Sequence, residues 1–339
     1  MNFASDNWAG ATDAVMEALA RANGGFAPAY GDDPLTRGVT KTFGEIFERE
    51  VEVHFMGTGT AANTLCMTLA ARPAGYVICT EQAHILTDEF NATEAYTGMK
   101  LAAVPTRDGL MTVDGLEAAI AKLPPDGHRG PLAVLSLTNA TEWGTTYAPD
   151  RIAALAAAAK ERGMLVHVDG ARFANAVAAT AASPADLTWR AGVDLMSFGG
   201  TKNGCWAAEA VVVFEPKRFP DLVNIRQRAG QGMSKTRFIA AQYEGYFSNG
   251  GWLKTAAHAN AMTARLDAGL RRSNAARLDW KTTANEVFPA WSKVTSARLR
   301  AAGAVFHGWD DLGPDEERVR LVTSFATTEA DVDAFLALL

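Results

Sequence analysis

Short apolar, β-branched runs alternate with alanine-rich stretches of helical period along the first part of the chain, the pattern of a parallel α/β sheet. The runs predict strands at 51–55, 76–79, 100–104, 133–138, 164–168, 195–198 and 210–214. Between them helices are read most clearly at 61–71, 112–123 and 150–162, with turns at Pro124-Pro125-Asp126-Gly127 and at Gly163. From about Thr236 the character changes. A helical stretch at 236–248 breaks at Asn249-Gly250-Gly251 and resumes over 252–272. Short strands follow near Val287, near Val305 and at 319–325, each beside a helix, and the chain closes on a helical segment at 329–339. The expected organisation is an arm over residues 1–13, a large α/β domain over 14–240 and a smaller α+β domain over 241–339.

Composition narrows the function classes. The 339 residues carry 38 acidic and 32 basic side chains, a net charge of −6, and no Lys/Arg-rich run. Phosphate-backbone binding therefore has no electrostatic footprint, and no nucleic-acid partner is expected. Three widely spaced cysteines, Cys66, Cys79 and Cys205, exclude a disulfide framework and a CxxC cluster. The first residues have neither a basic nor an apolar leader region, and no segment approaches 18 consecutive apolar residues. A soluble, cytoplasmic protein without a membrane partner is the expectation.

Candidate chemistry sits where strands end. Gly57-Thr58-Gly59-Thr60-Ala61-Ala62-Asn63 follows one strand and opens a helix, so its backbone N–H groups can receive a phosphate. It also spells G-x-G-x-x-A with Glu81 about 20 residues on, which imitates a dinucleotide fingerprint. A plain strand–helix turn is the bland alternative. His167-Val168-Asp169-Gly170-Ala171-Arg172 ends an apolar strand, where α/β proteins place ligand chemistry, although an Asp–Arg ion pair would account for it equally. His167 shares a strand face with Asp169, but no third ligand has suitable spacing, and no metal site is expected. Lys202 stands in the Gly-rich loop Gly199-Gly200-Thr201-Lys202-Asn203-Gly204, either as a solvated lysine or as an amine for Schiff-base chemistry. His84 follows another strand, where a structural role is the alternative. Cys205 reads as a small buried residue rather than a nucleophile.

A phosphate loop, an aspartate at a strand end and a Gly-flanked lysine 33 residues later (202 − 169) share the layout of fold-type-I pyridoxal phosphate (PLP) enzymes. The sequence resembles the threonine aldolase / aromatic amino acid β-eliminating lyase family over nearly its whole length. The matching segments are Ser5-Asp6, Tyr30-Gly31-Asp32-Asp33-Pro34, Thr58-Gly59-Thr60 with Asn63, and His84. They continue with the DGAR segment at Asp169, the Lys202 loop and Val319-Arg320-Leu321-Val322-Thr323-Ser324. The resemblance implies an α/β, fold-type-I architecture with a mostly parallel sheet and a smaller C-terminal α+β part. It implies PLP on Lys202, Asp169 at the pyridine nitrogen, His84 stacked on the ring and active in proton transfer, and Gly59 and Thr60 at the phosphate. Ser5, Arg172 and Arg320 are implied to bind the substrate carboxylate, in dimers or tetramers with shared active sites.

Two segments depart from the family pattern. A family histidine near the substrate β-hydroxyl is missing from Thr138-Asn139-Ala140-Thr141-Glu142. The Lys and Arg that flank a Gly-rich segment and reach a phosphate across the dimer are replaced by Gln227 and Ser234, with Arg228 and Lys235 one residue along as substitutes. The expected reaction is retro-aldol cleavage of a β-hydroxy-α-amino acid of threonine, allo-threonine or phenylserine type to glycine and an aldehyde. β-Elimination or dehydration on the same scaffold is the alternative, and a NAD-linked oxidoreductase a distant one.

Overall fold

Seven of the apolar runs pair into one sheet in the computed structural model, which describes residues 1–339. They are β1 (Glu52–Met56), β2 (Tyr76–Thr80), β3 (Lys100–Val104), β4 (Leu132–Thr138), β5 (Leu165–Gly170), β6 (Leu195–Gly199) and β7 (Glu209–Val213). The spatial order is β1-β7-β6-β5-β4-β2-β3. Only β7 runs against its neighbours; the pairings from β6 through β5, β4 and β2 to β3 are all parallel. Strands β2, β6 and β7 are buried along their full length. That is why they read as unbroken apolar runs rather than alternating ones.

Helices cover both faces. They are α1 (Asp13–Ala22), α2 (Pro34–Ile46), α3 (Gly59–Leu69), the short α4 (His84–Thr87) and α5 (Ala92–Thr97), α6 (Val113–Ala121), α7 (Pro149–Glu161), α8 (Phe173–Thr180), α9 (Leu222–Arg228), α10 (Arg237–Phe247) and α11 (Gly251–Arg272). Successive strand residues point to opposite faces. Ile78 and Val212 accordingly join the larger apolar core with Phe43, Phe198 and Tyr243, while Val77, Cys79, Val211 and Val213 join a second core under α3.

The second sheet is built from β8 (Glu286–Val287), β9 (Ala290–Ser292), β10 (His307–Asp311) and β11 (Glu316–Val322), with β11 pairing to all the others. Helices α12 (Lys293–Ala301) and α13 (Glu329–Leu336) complete this layer. The strand expected near Val305 does not form there: Val305 makes one isolated bridge to Asn2, and β10 begins at His307. As an edge strand β10 carries polar, exposed residues, so its pattern hides it. The strand expected at 319–325 begins earlier, at Glu316, and ends at Val322. Phe3 is fully buried in this layer's core, and its backbone bonds to Val305 and Val322. No helix is long and apolar enough to cross a membrane.

Candidate active site

Register places the chemistry. Thr138 at the end of β4 lies opposite Asp169 of β5, which lies opposite Ser197 of β6. Because β7 is antiparallel, its first residue, Glu209, reaches the same edge, opposite Gly199. A cavity of about 280 Å³ opens over this edge, and Lys202, Asp169, His84, Gly59, Thr60 and Arg172 all line it. Six residues scattered between 59 and 202 in the sequence thus meet at one site.

Asp169 is 3% exposed. Its Oδ2 accepts a hydrogen bond from Asn63 Nδ2 at 2.8 Å and its Oδ1 one from the Ala171 N–H at 3.0 Å. Burial alone would raise its pKa, but the His84 imidazole and these two donors outweigh it and hold the carboxyl below its usual range. Asn63 also donates to Glu89 Oε1 at 2.8 Å, and the same oxygen meets His84 Nδ1 at 2.8 Å. The chain Asp169–Asn63–Glu89–His84 therefore fixes the imidazole and leaves Nε2 as its free nitrogen. The Glu89 hydrogen bond raises the His84 pKa against the opposing effect of burial. His167 is fully buried, meets Ser136 Oγ at 3.0 Å and is pushed down to about 4 by burial, so it stays neutral.

Gly57, Thr58, Gly59 and Thr60 form the cavity wall where α3 begins. Thr58 caps the helix, its Oγ1 accepting from the Ala61 N–H at 3.2 Å. The N–H groups of the first helical turn have no intrahelical acceptor, which leaves them for an anion. A Cβ at Gly57 would meet nothing within 4 Å, and one at Gly59 only Glu209 Oε2 at 3.9 Å. Glycine here keeps an approach open rather than relieving a clash. At the lysine loop the reverse holds: a Cβ on Gly200 would sit 2.8 Å from Cys205 Sγ, and one on Gly199 2.7 Å from the Ala171 carbonyl oxygen.

Arg172 is clasped between two buried carboxylates. Nε donates to Asp6 Oδ2 at 2.7 Å and Nη2 to Asp6 Oδ1 at 3.1 Å, while Nη1 lies 3.2 Å from Glu286 Oε2. A guanidinium has five N–H donors; two go to Asp6 and Glu286 Oε2 accepts none, so three are uncommitted. Arg320, Ser5 and Arg228 do not line the cavity. Arg320 Nη1 lies 3.8 Å from the other oxygen of Glu286, and its guanidinium rests 5.0 Å over Trp309. Ser5 caps the turn Asp6–Trp8 through the Asn7 N–H at 3.1 Å, and it is Asn7 that reaches the cavity. Arg228 is exposed at the end of α9; the adjoining Ala229 and Gln231 share a smaller cavity of about 190 Å³ with Thr58 and Thr60. The dinucleotide reading loses its acidic partner, since Glu81 accepts from the Thr106 N–H at 3.1 Å and lies outside the cavity.

The cavity also holds charged or polar side chains absent from the site expected on sequence grounds, among them Asn7, Glu89, Glu142 and Glu209. Glu209 had a readable signal, a carboxylate opening an otherwise apolar run. Glu89 and Glu142 stand in loops and have none.

The profile of the β-eliminating lyase family matches residues 2–291. A low specificity L-threonine aldolase of a Pseudomonas species is 38% identical over 331 residues, spanning 97% of this chain and 94% of that protein. Its counterpart from Pseudomonas aeruginosa is 39% identical, spanning 94% of each. The solved threonine aldolase of Leishmania major superposes with a TM-score of 0.93 at 29% identity, covering 99% of this chain and 98% of its own. A serine palmitoyltransferase of Sphingomonas wittichii, at 15% identity and a TM-score of 0.73, shares the fold alone. The matched span holds the phosphate turn, Asp169 and Lys202 in one cavity, and the chain belongs to the β-eliminating lyase family.

Proposed function

We propose that this chain is a PLP-dependent carbon–carbon lyase that cleaves β-hydroxy-α-amino acids of threonine, allo-threonine or phenylserine type to glycine and an aldehyde. One observation carries the reading: a lysine, an ionised buried aspartate and an open helix N-terminus converge on a single cavity, in a chain 38–39% identical to two low specificity L-threonine aldolases.

The residues present suit the cofactor. Lys202 supplies the amine and forms no ion pair that would have to break. Gly59 and Thr60 offer free backbone N–H groups to the phosphate. Asp169, kept ionised by Asn63 and Ala171, holds a proton on the ring nitrogen. His84, braced by Glu89, provides a flat face and a free Nε2. When bound, PLP supplies the conjugated sink that accepts the electron pair released from Cα. Arg172 takes the substrate carboxylate with N–H groups that Asp6 does not use. Arg320 acts on Arg172 through their shared Glu286, and Ser5 sets the turn that brings Asn7 to the cavity. With the carboxylate held, the Cα–Cβ bond is presented for cleavage in one orientation. The exposed Arg228, with Lys235, is assigned to the phosphate of a second copy in a dimer or tetramer.

Product analysis tests this. The cofactor-loaded protein should release glycine and aldehyde from threonine, allo-threonine or phenylserine. Ammonia and a keto acid would instead assign it to β-elimination.

A further inference from the structure

The loop after β4 brings Glu142 back to the cavity wall. Its Oε1 accepts from Thr138 Oγ1 at 2.8 Å and from the His84 backbone N–H at 3.0 Å, while its Oε2 is shielded and has no hydrogen-bond partner. A carboxylate with donors on one oxygen only is poorly stabilised as an anion and correspondingly basic. The other acceptors of the cavity are committed elsewhere. Asp169 has donors on both oxygens, Glu89 is fully buried behind Asn63 and His84, and Glu209 lies beside Gly59 at the phosphate end. His84 gives its Nδ1 to Glu89, and that bond raises its pKa toward the protonated form, in which the free Nε2 donates rather than accepts.

We propose that Glu142 is the catalytic residue that takes the proton of the substrate β-hydroxyl as the Cα–Cβ bond breaks. The proposal rests on the aldolase reading above. The hydroxyl proton passes to the Glu142 carboxylate, the O–H pair becomes the second C–O bond of the aldehyde, and the Cα–Cβ pair stays on Cα. Cα then takes a proton from solvent to end as glycine, and Glu142 returns its own to solvent. Burial pushes the Glu142 carboxyl up to about 7, with Asp169 adding to the rise and the Thr138 and His84 donors opposing it. A base is most effective near the working pH. Besides Asp169 and His84, the titratable and charged groups that interact with it are Arg172, Tyr147 and Cys79. Below about pH 7 Glu142 gains its proton, so cleavage should fall on the acid side.

Glu142→Gln keeps an acceptor for Thr138 and His84 but cannot take a proton. In the cofactor-loaded protein it should cut threonine or phenylserine cleavage roughly 100- to 10,000-fold and abolish the acid limb of kcat/KM. Exchange of the glycine α-proton with deuterium, followed by NMR, involves no β-hydroxyl and should stay within about threefold of wild type. Glu142→Asp should recover part of the cleavage. The proposal is overturned if Glu142→Gln cleaves within about threefold of wild type, or loses exchange and cleavage in equal proportion, since Glu142 would then only support the His84 loop. A wild-type protein that exchanges glycine but cleaves none of the three substrates sinks the aldolase reading and this proposal together.

Discussion

The buried guanidinium of Arg172, set between two carboxylates, ties the structure together and is the group proposed to hold the substrate carboxylate. Arg172 gives two of its five N–H groups to Asp6 and is paired by charge alone with Glu286, whose Oε2 accepts no hydrogen bond. Lysine would carry the same charge but cannot span both carboxylates and a ligand, because its ammonium is a point donor rather than a planar fork. Losing such a charge-assisted partner costs on the order of 2–4 kcal/mol. Arg172→Lys should therefore keep the yellow colour expected of bound cofactor and lose roughly 30- to 1,000-fold in kcat/KM. Arg320→Lys should lose clearly less, because Arg320 meets the site only through Glu286. Steady-state kinetics with threonine and phenylserine measure both. Near wild-type rates for Arg172→Lys would make the arginine a structural tie alone.

At the scale of elements, most of what positions the site is legible in the sequence, and for a physical reason. Strands buried over most of their length must be apolar nearly throughout, and all seven, with the half-exposed edge strand β3 among them, stand within two residues of where the pattern places them. Their ends show because polar chemistry follows at once, as Asp169 follows Val168 and Lys202 follows Phe198. Helix α2 was equally readable, with Leu35, Val39, Phe43 and Ile46 at helical spacing and Asp33 as its cap, yet it is missing from the predicted elements. Glu89 and Glu142 are different. Nothing local distinguishes them from surface carboxylates: Glu89 stands only five residues from His84, and Glu142, 58 residues away, is brought to it by the tertiary fold. The lysine loop adds a prediction at this scale. It is pinned by close contact, since a methyl on Gly200 would overlap Cys205 Sγ and approach the Ala208 carbonyl oxygen to 3.0 Å. Overpacking of that kind costs about 1–3 kcal/mol. Gly200→Ala should lower the melting temperature by several degrees and weaken the Lys202-bound cofactor absorbance. If melting and spectrum match wild type, the loop has slack that the contact distances deny.

Across the whole molecule, the site is where three parts of the chain are tied together. Asp6 comes from the N-terminal segment, Arg172 from the exit of β5 and Glu286 from β8 of the second sheet, and the three are joined by ion pairs. Phe3 reinforces the tie from the core of the second layer. The opposite wall, at the phosphate turn, is less enclosed. Thr58 and Thr60 look onto the cavity shared with Tyr96, Ala229 and Gln231. Phe90, immediately after the His84-bracing Glu89, is 100% exposed, and Tyr96 and Met233 are exposed too. Large apolar side chains in solvent beside a binding site make a candidate surface for another protein. A second copy of this chain is the occupant we propose, with Arg228 and Lys235, which flank the 229–234 segment, as the positive charge for its phosphate. The protein should therefore sediment as a dimer or tetramer. Arg228→Ala and Lys235→Ala, singly or together, should weaken PLP retention on dilution or gel filtration and leave far-UV circular dichroism unchanged. Each exposed charge removed there should weaken retention more at low salt than at high, since screening falls on exposed pairs first. A stable monomer with full activity would show that each copy closes its own phosphate site and that the exposed aromatics serve some other contact.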